Sequence, residues 1–168
     1  LSASEPRILI RTEKLTMPKK SGPLAGVRIL DAATFLAAPY AASLLSEYGA
    51  EVIKVEQPSG DTMRRIPPMR GDVSVWWKVI ARNRRSVTLD FNTAEGLDVF
   101  KRLVAECDVL IVNFRAAALK KWGIEFEDLI KHRKDLIYYH LTAFGAGPYE
   151  QRPGFARVAE AFAGLTNR

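Results

Sequence analysis

Residues 27–56, VRILDAATFLAAPYAASLLSEYGAEVIKVE, contain two short apolar runs separated by a stretch with helical periodicity. The runs Val27–Asp31 and Glu51–Glu56 have the length and the β-branched composition of buried strands. Between them, Pro39–Tyr48 carries the helical period, and Gly49 follows it as a glycine commonly follows a helix. A strand, a helix and a second strand in this order predict a βαβ unit, in which the two strands lie parallel.

The same alternation continues through the rest of the chain. Further strands are predicted at Ser86–Asp90, Val109–Asn113 and Leu136–Leu141. Asn92 is predicted to cap a helix that runs to Ala105, and residues 156–163 are predicted to begin another helix with an apolar face. The expected fold class is therefore α/β, with a mostly parallel sheet and crossover helices.

Size and composition are those of one globular domain. The 168 residues are 48% hydrophobic, and no apolar stretch approaches the ~20 residues that span a bilayer, so no membrane contact is expected. A single cysteine, Cys107, excludes an internal disulfide framework, and with only two histidines it argues against a metal site. We expect a reducing, cytoplasmic compartment.

Residues 57–72 hold three of the nine prolines and are predicted to form a long functional loop.

The N-terminal residues differ from the rest of the chain. The net charge is +6, and residues 1–23 contribute +3 of it through five basic and two acidic side chains. We therefore predict that residues 1–21 form a tail that is expression-derived or disordered. The first methionine is Met17, so residues 1–16 are interpreted as expression-derived or read-through sequence. A transit peptide is the alternative, and Glu5 and Glu13 argue against it.

Short catalytic motifs are absent. The turn after the first predicted strand, residues 32–39, contains no glycine, which disfavours NAD or FAD binding in the usual mode. Glu56 is interpreted as a strand-end residue that pairs locally. A Walker loop, a nucleophile elbow and a zinc-protease helix are missing. Cys107 is interpreted as a buried structural thiol, and no catalytic residue is assigned.

Positive charge is concentrated in residues 62–87. Seven cations stand there against Asp72 alone, namely Arg64, Arg65, Arg70, Lys78, Arg82, Arg84 and Arg85. Arginine forks match the oxygens of phosphate groups, and Trp76 and Trp77 could stack on a base. The alternative is a solvated basic face with both tryptophans in the core. Nucleic acid is not the expected partner, because no nucleic-acid-binding motif accompanies the charge.

Several segments together resemble the family III coenzyme A (CoA) transferases of the CaiB/BaiF, formyl-CoA-transferase-like type. They are GPLAGVRILD (22–31), GAEVIKVE (49–56), RNRRSVTLD (82–90), VNFR (112–115), TAFG (142–145) and RPGF (152–155). The resemblance covers residues 22–168 and implies the N-terminal part of a Rossmann-like large domain. It implies CoA as a substrate, an acyl-CoA and a short organic acid as its exchange partners, and an interlocked homodimer when the protein is full length.

The resemblance also implies where CoA binds. The expected contacts are Phe35, Leu36, Ala37, Gln57, Leu89, Asn113, Phe114 and Lys121, with Arg84 and Arg85 added from the basic segment for the phosphates. These positions lie mainly at or beyond the carboxyl ends of predicted strands, where open α/β sheets bind ligands. Gln57 departs from the basic residue common at its position, and residues 116–117 are Ala-Ala where Pro-Gly is usual.

The resemblance places the nucleophilic Asp of the reaction a few tens of residues beyond the RPGF segment, outside this chain. The 168 residues are therefore predicted to be a truncated and inactive piece of a transferase. A racemase of the same superfamily is disfavoured, because Phe155 and Ala156 stand where its His and Asp would be. The main alternative is a non-catalytic fragment that binds CoA or oligomerises; an RNA-binding domain is a more distant one.

Overall fold

The computed structural model describes residues 21–145 and 147–165. The strands are β1 (Arg28–Asp31), β2 (Glu51–Glu56), β3 (Met69–Arg70), β4 (Val73–Ser74), β5 (Arg84–Thr88), β6 (Val109–Val112) and β7 (Ile137–His140). The helices are α1 (Ala37–Glu47), α2 (Val75–Ile80), α3 (Ala94–Ala105), α4 (Ala116–Trp122), α5 (Phe126–Leu129) and α6 (Ala156–Phe162), with a 3-10 helix at Thr62–Arg65. Residues 1–20 of the predicted tail lie outside the described residues.

Five strands form one parallel sheet in the order β5-β2-β1-β6-β7. The chain passes from β1 outward to β2 and β5, then returns to the other side of β1 for β6 and β7. The winding direction therefore reverses between β1 and β6, as it does in doubly wound α/β folds. The predicted fold class is confirmed.

The central strands β1, β2 and β6 are buried on both faces, and alternate residues of each strand point to opposite sides of the sheet. Leu30 and Leu110 belong to one buried cluster, which contains Phe100 of α3. Their neighbours Ile29 and Ile111 belong to a second cluster, which contains Ala38 and Ala42 of α1. Burial of each such leucine or isoleucine side chain contributes about 1.5–3 kcal/mol, so these two clusters hold the strand ends in place.

Some predicted boundaries are corrected by local hydrogen bonds. Thr93, not Asn92, caps α3, because its Oγ1 accepts a hydrogen bond from the Gly96 N–H at 3.1 Å. Asn92 instead donates from its side chain to Asp90 Oδ1 at 3.0 Å. The predicted loop at 57–72 contains the 3-10 helix and β3, which pairs antiparallel with β4.

The predicted last helix forms as α6, and its side chains remain exposed. No residue of α6 is buried, and Phe155 and Phe162 are 72% and 70% exposed. Among the described residues, none of the helices has the length and apolar character needed to cross a membrane.

Candidate functional site

A cavity of about 310 Å³ lies at the carboxyl edge of the parallel sheet. It is lined by one residue of β2, by residues that follow β1, β2, β5 and β6, and by one residue of α4, namely Ala32, Thr34, Val55, Gln57, Pro58, Ser59, Leu89, Asp90, Phe91, Asn92, Phe114 and Trp122. The lining is apolar around a few polar groups, which is typical of small-molecule sites. Its place beside the strands where the winding reverses is where open α/β sheets bind ligands.

The loops after β1 and β6 are joined at this edge by one side chain. Asn113 Oδ1 accepts a hydrogen bond from the Thr34 N–H at 2.8 Å, and Asn113 Nδ2 donates to the Thr34 carbonyl at 2.8 Å. His140 of β7 supports the second loop through its Nε2, which lies 2.8 Å from the Phe114 carbonyl oxygen. The predicted site residues Asn113 and Phe114 are therefore held in a defined position relative to Thr34.

The loop after β2 is held by a carboxylate at the end of that strand. Arg64 donates from Nε and Nη2 to the two oxygens of Glu56, at 2.6 and 2.7 Å, and the Asp61 N–H donates to Glu56 at 3.1 Å. Burial disfavours the charged carboxylate, but these hydrogen bonds and one with Ser86 outweigh it and lower the pKa of Glu56 to about 2. The prediction that Glu56 pairs locally is confirmed, and the pair closes the segment that begins with Gln57.

One wall of the cavity is a set of aromatic rings. The Phe91, Phe114 and Trp122 rings pack edge to face, with centroids 5.1 to 5.9 Å apart. Phe91 also packs on the buried Phe100, so the wall is continuous with the core. Within the described residues the Trp122 indole N–H is buried and has no hydrogen-bond partner.

The structure brings together some of the predicted site residues. Gln57, Leu89 and Phe114 line the cavity. The predicted residues Phe35, Leu36 and Ala37 lead into α1, where Leu36 is the N-cap and offers no side-chain cap. Phe35 has a φ of 70°, and Lys121 is exposed on α4.

The two predicted phosphate ligands Arg84 and Arg85 are not in the lining. Arg84 Nη1 lies 2.5 Å from Asp31 Oδ2, and the side chain is 1% exposed, so a phosphate could reach it only if that pair opened. Arg85 pairs with Glu51 and is 52% exposed. A different cation is near the cavity: Arg65 donates from Nη1 to the Ser59 carbonyl at 3.0 Å.

Two further cations of the basic segment, Arg64 and Arg82, also have partners. Arg82 binds Glu47, and the Arg64 guanidinium lies 4.1 Å from the Trp77 ring centroid. Trp76 is 46% exposed, so the alternative in which both tryptophans belong to the core is wrong for that residue.

The one cysteine of the chain lies outside the cavity lining. Cys107 is fully buried, and burial raises the pKa of its thiol to about 11, as a structural cysteine requires. Across 21–145 and 147–165, no group of histidine, cysteine and carboxylate side chains could hold a metal ion. What the arrangement can do is bind a ligand that has an apolar, planar part and several hydrogen-bonding groups.

Residues 24–168 match the family model of CoA-transferase family III. This chain belongs to CoA-transferase family III. The β subunit of succinyl-CoA–L-malate CoA-transferase from Chloroflexus aurantiacus is 50% identical over 147 residues, which cover 85% of this chain and 36% of that protein. Succinyl-CoA:glutarate CoA-transferase from Homo sapiens is 38% identical over 146 residues, 85% of this chain and 33% of that protein.

A solved structure agrees with the assignment. The CaiB/BaiF family protein from Brucella suis superposes with a TM-score of 0.82 at 38% identity, and the match covers 87% of this chain and 40% of that chain. The family III chain thus spans about a third of the length of the curated relatives named above. The family resemblance inferred from the sequence segments is confirmed.

Most residues that line this family III site were not predicted as site residues, and three of them and one rim residue illustrate why. Thr34, Asn92 and Trp122 line the cavity, and Arg65 contacts its rim. Asn92 and Arg65 stand in segments that the sequence marks as turn and basic loop, but nothing local distinguishes them from their neighbours. Trp122 reaches the cavity from a helix, which no strand-end pattern could have indicated.

Proposed function

We propose that residues 22–168 are the N-terminal part of the large domain of an enzyme that transfers CoA from an acyl-CoA to a short organic acid. Support comes from the family membership and from relatives named as CoA-transferases. Several of these relatives are named as enzymes that pair succinyl-CoA with malate, citramalate, glutarate or mesaconate. We therefore propose succinyl-CoA as the donor and a dicarboxylic acid as the acceptor.

The observation that carries the proposal is the cavity at the carboxyl edge of the sheet. Its aromatic and aliphatic walls suit the adenine ring of CoA, and Gln57, Ser59 and Asn92 offer hydrogen-bonding groups to the nucleotide. Arg65 at the rim and the exposed Lys121 are the accessible cations that we assign to the phosphates, whereas Arg85 pairs with Glu51 near the amino ends of β2 and β5. Phe35, Leu36 and Ala37 are proposed to contact CoA through the loop that leads into α1.

The reaction needs a nucleophile, which we assign to a part of the enzyme outside these 168 residues. The resemblance implies an Asp carboxylate that attacks the thioester, passing through an anhydride and then an enzyme-bound CoA thioester. We place this Asp in the roughly two-thirds of the relatives' length that these residues do not span. The purified 168-residue chain should accordingly show no thioester exchange by mass spectrometry with any acid pair, and measurable turnover would contradict this.

Assembly and location are part of the same proposal. We infer a homo-oligomer, since α6 presents apolar side chains that remain exposed in one chain. A cytoplasmic location fits the single buried cysteine.

Calorimetry with CoA tests the proposed site. We expect a Kd of about 0.1–1 mM for the chain, as for a partial site worth about −4 to −5 kcal/mol, and weaker binding of dephospho-CoA. Ser59→Trp places a bulky ring in the cavity mouth without touching the core, and it should weaken binding at least tenfold. Lys131→Trp, at an exposed position before β7 and thus at the opposite edge of the sheet, is the matched control. Unchanged affinity in Ser59→Trp would overturn the assignment of the site.

A further inference from the structure

Four ionisable side chains lie buried together beneath the loop that leads into α1. They are Asp31 at the end of β1, Lys54 of β2, Asp61 before the 3-10 helix and Arg84 at the start of β5, and each side chain is at most 1% exposed. Arg84 Nη1 lies 2.5 Å from Asp31 Oδ2, and Lys54 Nζ lies 3.3 Å from Asp61 Oδ2 and 3.8 Å from Asp31 Oδ2. Two cations and two carboxylates thus balance each other.

Such a cluster is a costly way to stabilise a fold. Desolvation of each ion costs several kcal/mol, and apolar replacements of similar volume are often neutral or stabilising. Burial raises the pKa of Asp31, although Lys54 and Arg84 beside it act in the opposite direction. The cluster is therefore better explained by what it holds than by its own stability.

What it holds is the backbone of residues 33–35. Asp31 Oδ1 accepts from the Ala33 N–H at 3.1 Å, and Lys54 Nζ donates to the Ala33 carbonyl. Asp61 Oδ1 accepts from the Phe35 N–H at 3.3 Å. The side-chain amide of Asn113 accepts from the Thr34 N–H and donates to the Thr34 carbonyl. Each backbone N–H of residues 33, 34 and 35 therefore donates to a side chain.

The conformation of this loop needs such anchors. Phe35 has a φ of 70°, in the left-handed region that costs a non-glycine residue on the order of 1–3 kcal/mol. The strained residue is held at its own N–H by Asp61, which Lys54 in turn fixes by the ion pair. Without the pair, relaxation of Phe35 would move the loop and the beginning of α1.

We propose that Lys54 and Asp61 are positioning residues, which hold residues 33–36 in the conformation that contacts CoA. The inference rests on the proposed function for its ligand, but the holding of the loop stands on the contacts alone. Arg84 takes part by neutralising Asp31. Arg84 thus serves the CoA site from beneath the loop, without touching a phosphate.

The test is backbone amide hydrogen exchange, followed by NMR, on the 168-residue chain and a double variant, Lys54→Met with Asp61→Leu. The variant removes one cation and one carboxylate, so the Asp31–Arg84 pair stays balanced. We expect exchange at residues 33–36 to rise at least tenfold while the amides of Leu110–Val112 in the core are unchanged, and CoA affinity to fall at least fivefold. Loss of protection at both places alike would show a merely structural role and overturn the proposal.

A control removes a second ion pair, which is more exposed than the first, since the Arg133 and Asp108 side chains are 22% and 37% exposed. Arg133 and Asp108 pair at 2.6 Å at the amino edge of the sheet, and Arg133→Met with Asp108→Leu should leave loop exchange and CoA affinity unchanged. If the Lys54 and Asp61 variant does not fold, hydrogen exchange of the wild-type chain still tests the proposal. Its amides at residues 33–35 should exchange at least 100-fold more slowly than the exposed turn at residues 71–72, and equal rates would refute the proposal. Absence of CoA binding with a protected loop would count against the proposed function only.

Discussion

Replacement of Glu56 by glutamine should change how stability depends on pH. Two hydrogen bonds from Arg64 and one from the Asp61 N–H favour the carboxylate in the folded chain and lower the pKa of Glu56 from its ordinary 4.5 to about 2. The folded-state pKa is thus below the unfolded value. The contribution to stability is fully present above about pH 4.5 and is lost as the pH falls toward about 2.

The size of the effect follows from this difference. A pKa that falls from 4.5 to about 2 corresponds to about 3 kcal/mol in the limit of full transfer to stability. Glu56 is 4% exposed, but the Arg64 side chain is 43% exposed, so solvent screens the pair. We therefore expect Glu56→Gln to cost about 1–2 kcal/mol at neutral pH and almost nothing near pH 2.

Urea unfolding of the chain and the variant from about pH 7 to pH 2 measures this difference. The wild type should lose about 1–2 kcal/mol more than Glu56→Gln between about pH 5 and pH 2. Glu150→Gln, at an exposed glutamate, is the control and should track the wild type throughout. Parallel curves for wild type and Glu56→Gln across the whole range would refute the claim that Arg64 and the Asp61 N–H stabilise the carboxylate.

Two further predictions concern exposure. The exposed apolar side chains of Phe155 and α6 should make the chain self-associate at high concentration. Replacing Phe155 and Phe162 by serine should shift the chain toward monomer, which light scattering would measure. A wild-type chain that stays monomeric would contradict this. Cys107 should react with a thiol reagent at least 100-fold more slowly in the native chain than in urea, because its thiol is buried with a pKa near 11. Similar rates in both states would show that the thiol is accessible.

The sheet was predictable because its signals are local. Each strand is a short apolar run, so β2 was predicted with the bounds Glu51–Glu56 that the structure has. The strand β5 was placed two residues too late, since Arg84 and Arg85 look like loop residues in sequence but pair with β2. The cap of α3 was missed by one residue because Asn92 and Thr93 are both good capping residues, and only the fold shows that Asn92 bonds to Asp90.

Less of the site could be predicted, because its partners are distant in sequence. Glu56 and Arg64 are eight residues apart, and a local pairing was predicted for Glu56. Arg84 meets Asp31, which lies 53 residues earlier, and no local pattern distinguishes a buried arginine from an exposed one. Positive charge in a segment therefore predicted phosphate contacts without showing which cations are already paired.

The central claim is that CoA binds at the carboxyl edge of the sheet, and backbone amide NMR during a CoA titration tests it most directly. The perturbed amides should be those of the cavity residues Gln57, Ser59, 89–92 and Phe114, together with the neighbouring Asn113 and residues 33–37 of the loop into α1. Amides at the amino edge, such as those of residues 106–108, should not move. Shifts confined to the amino edge or to α6, or no shifts at millimolar CoA, would contradict the claim.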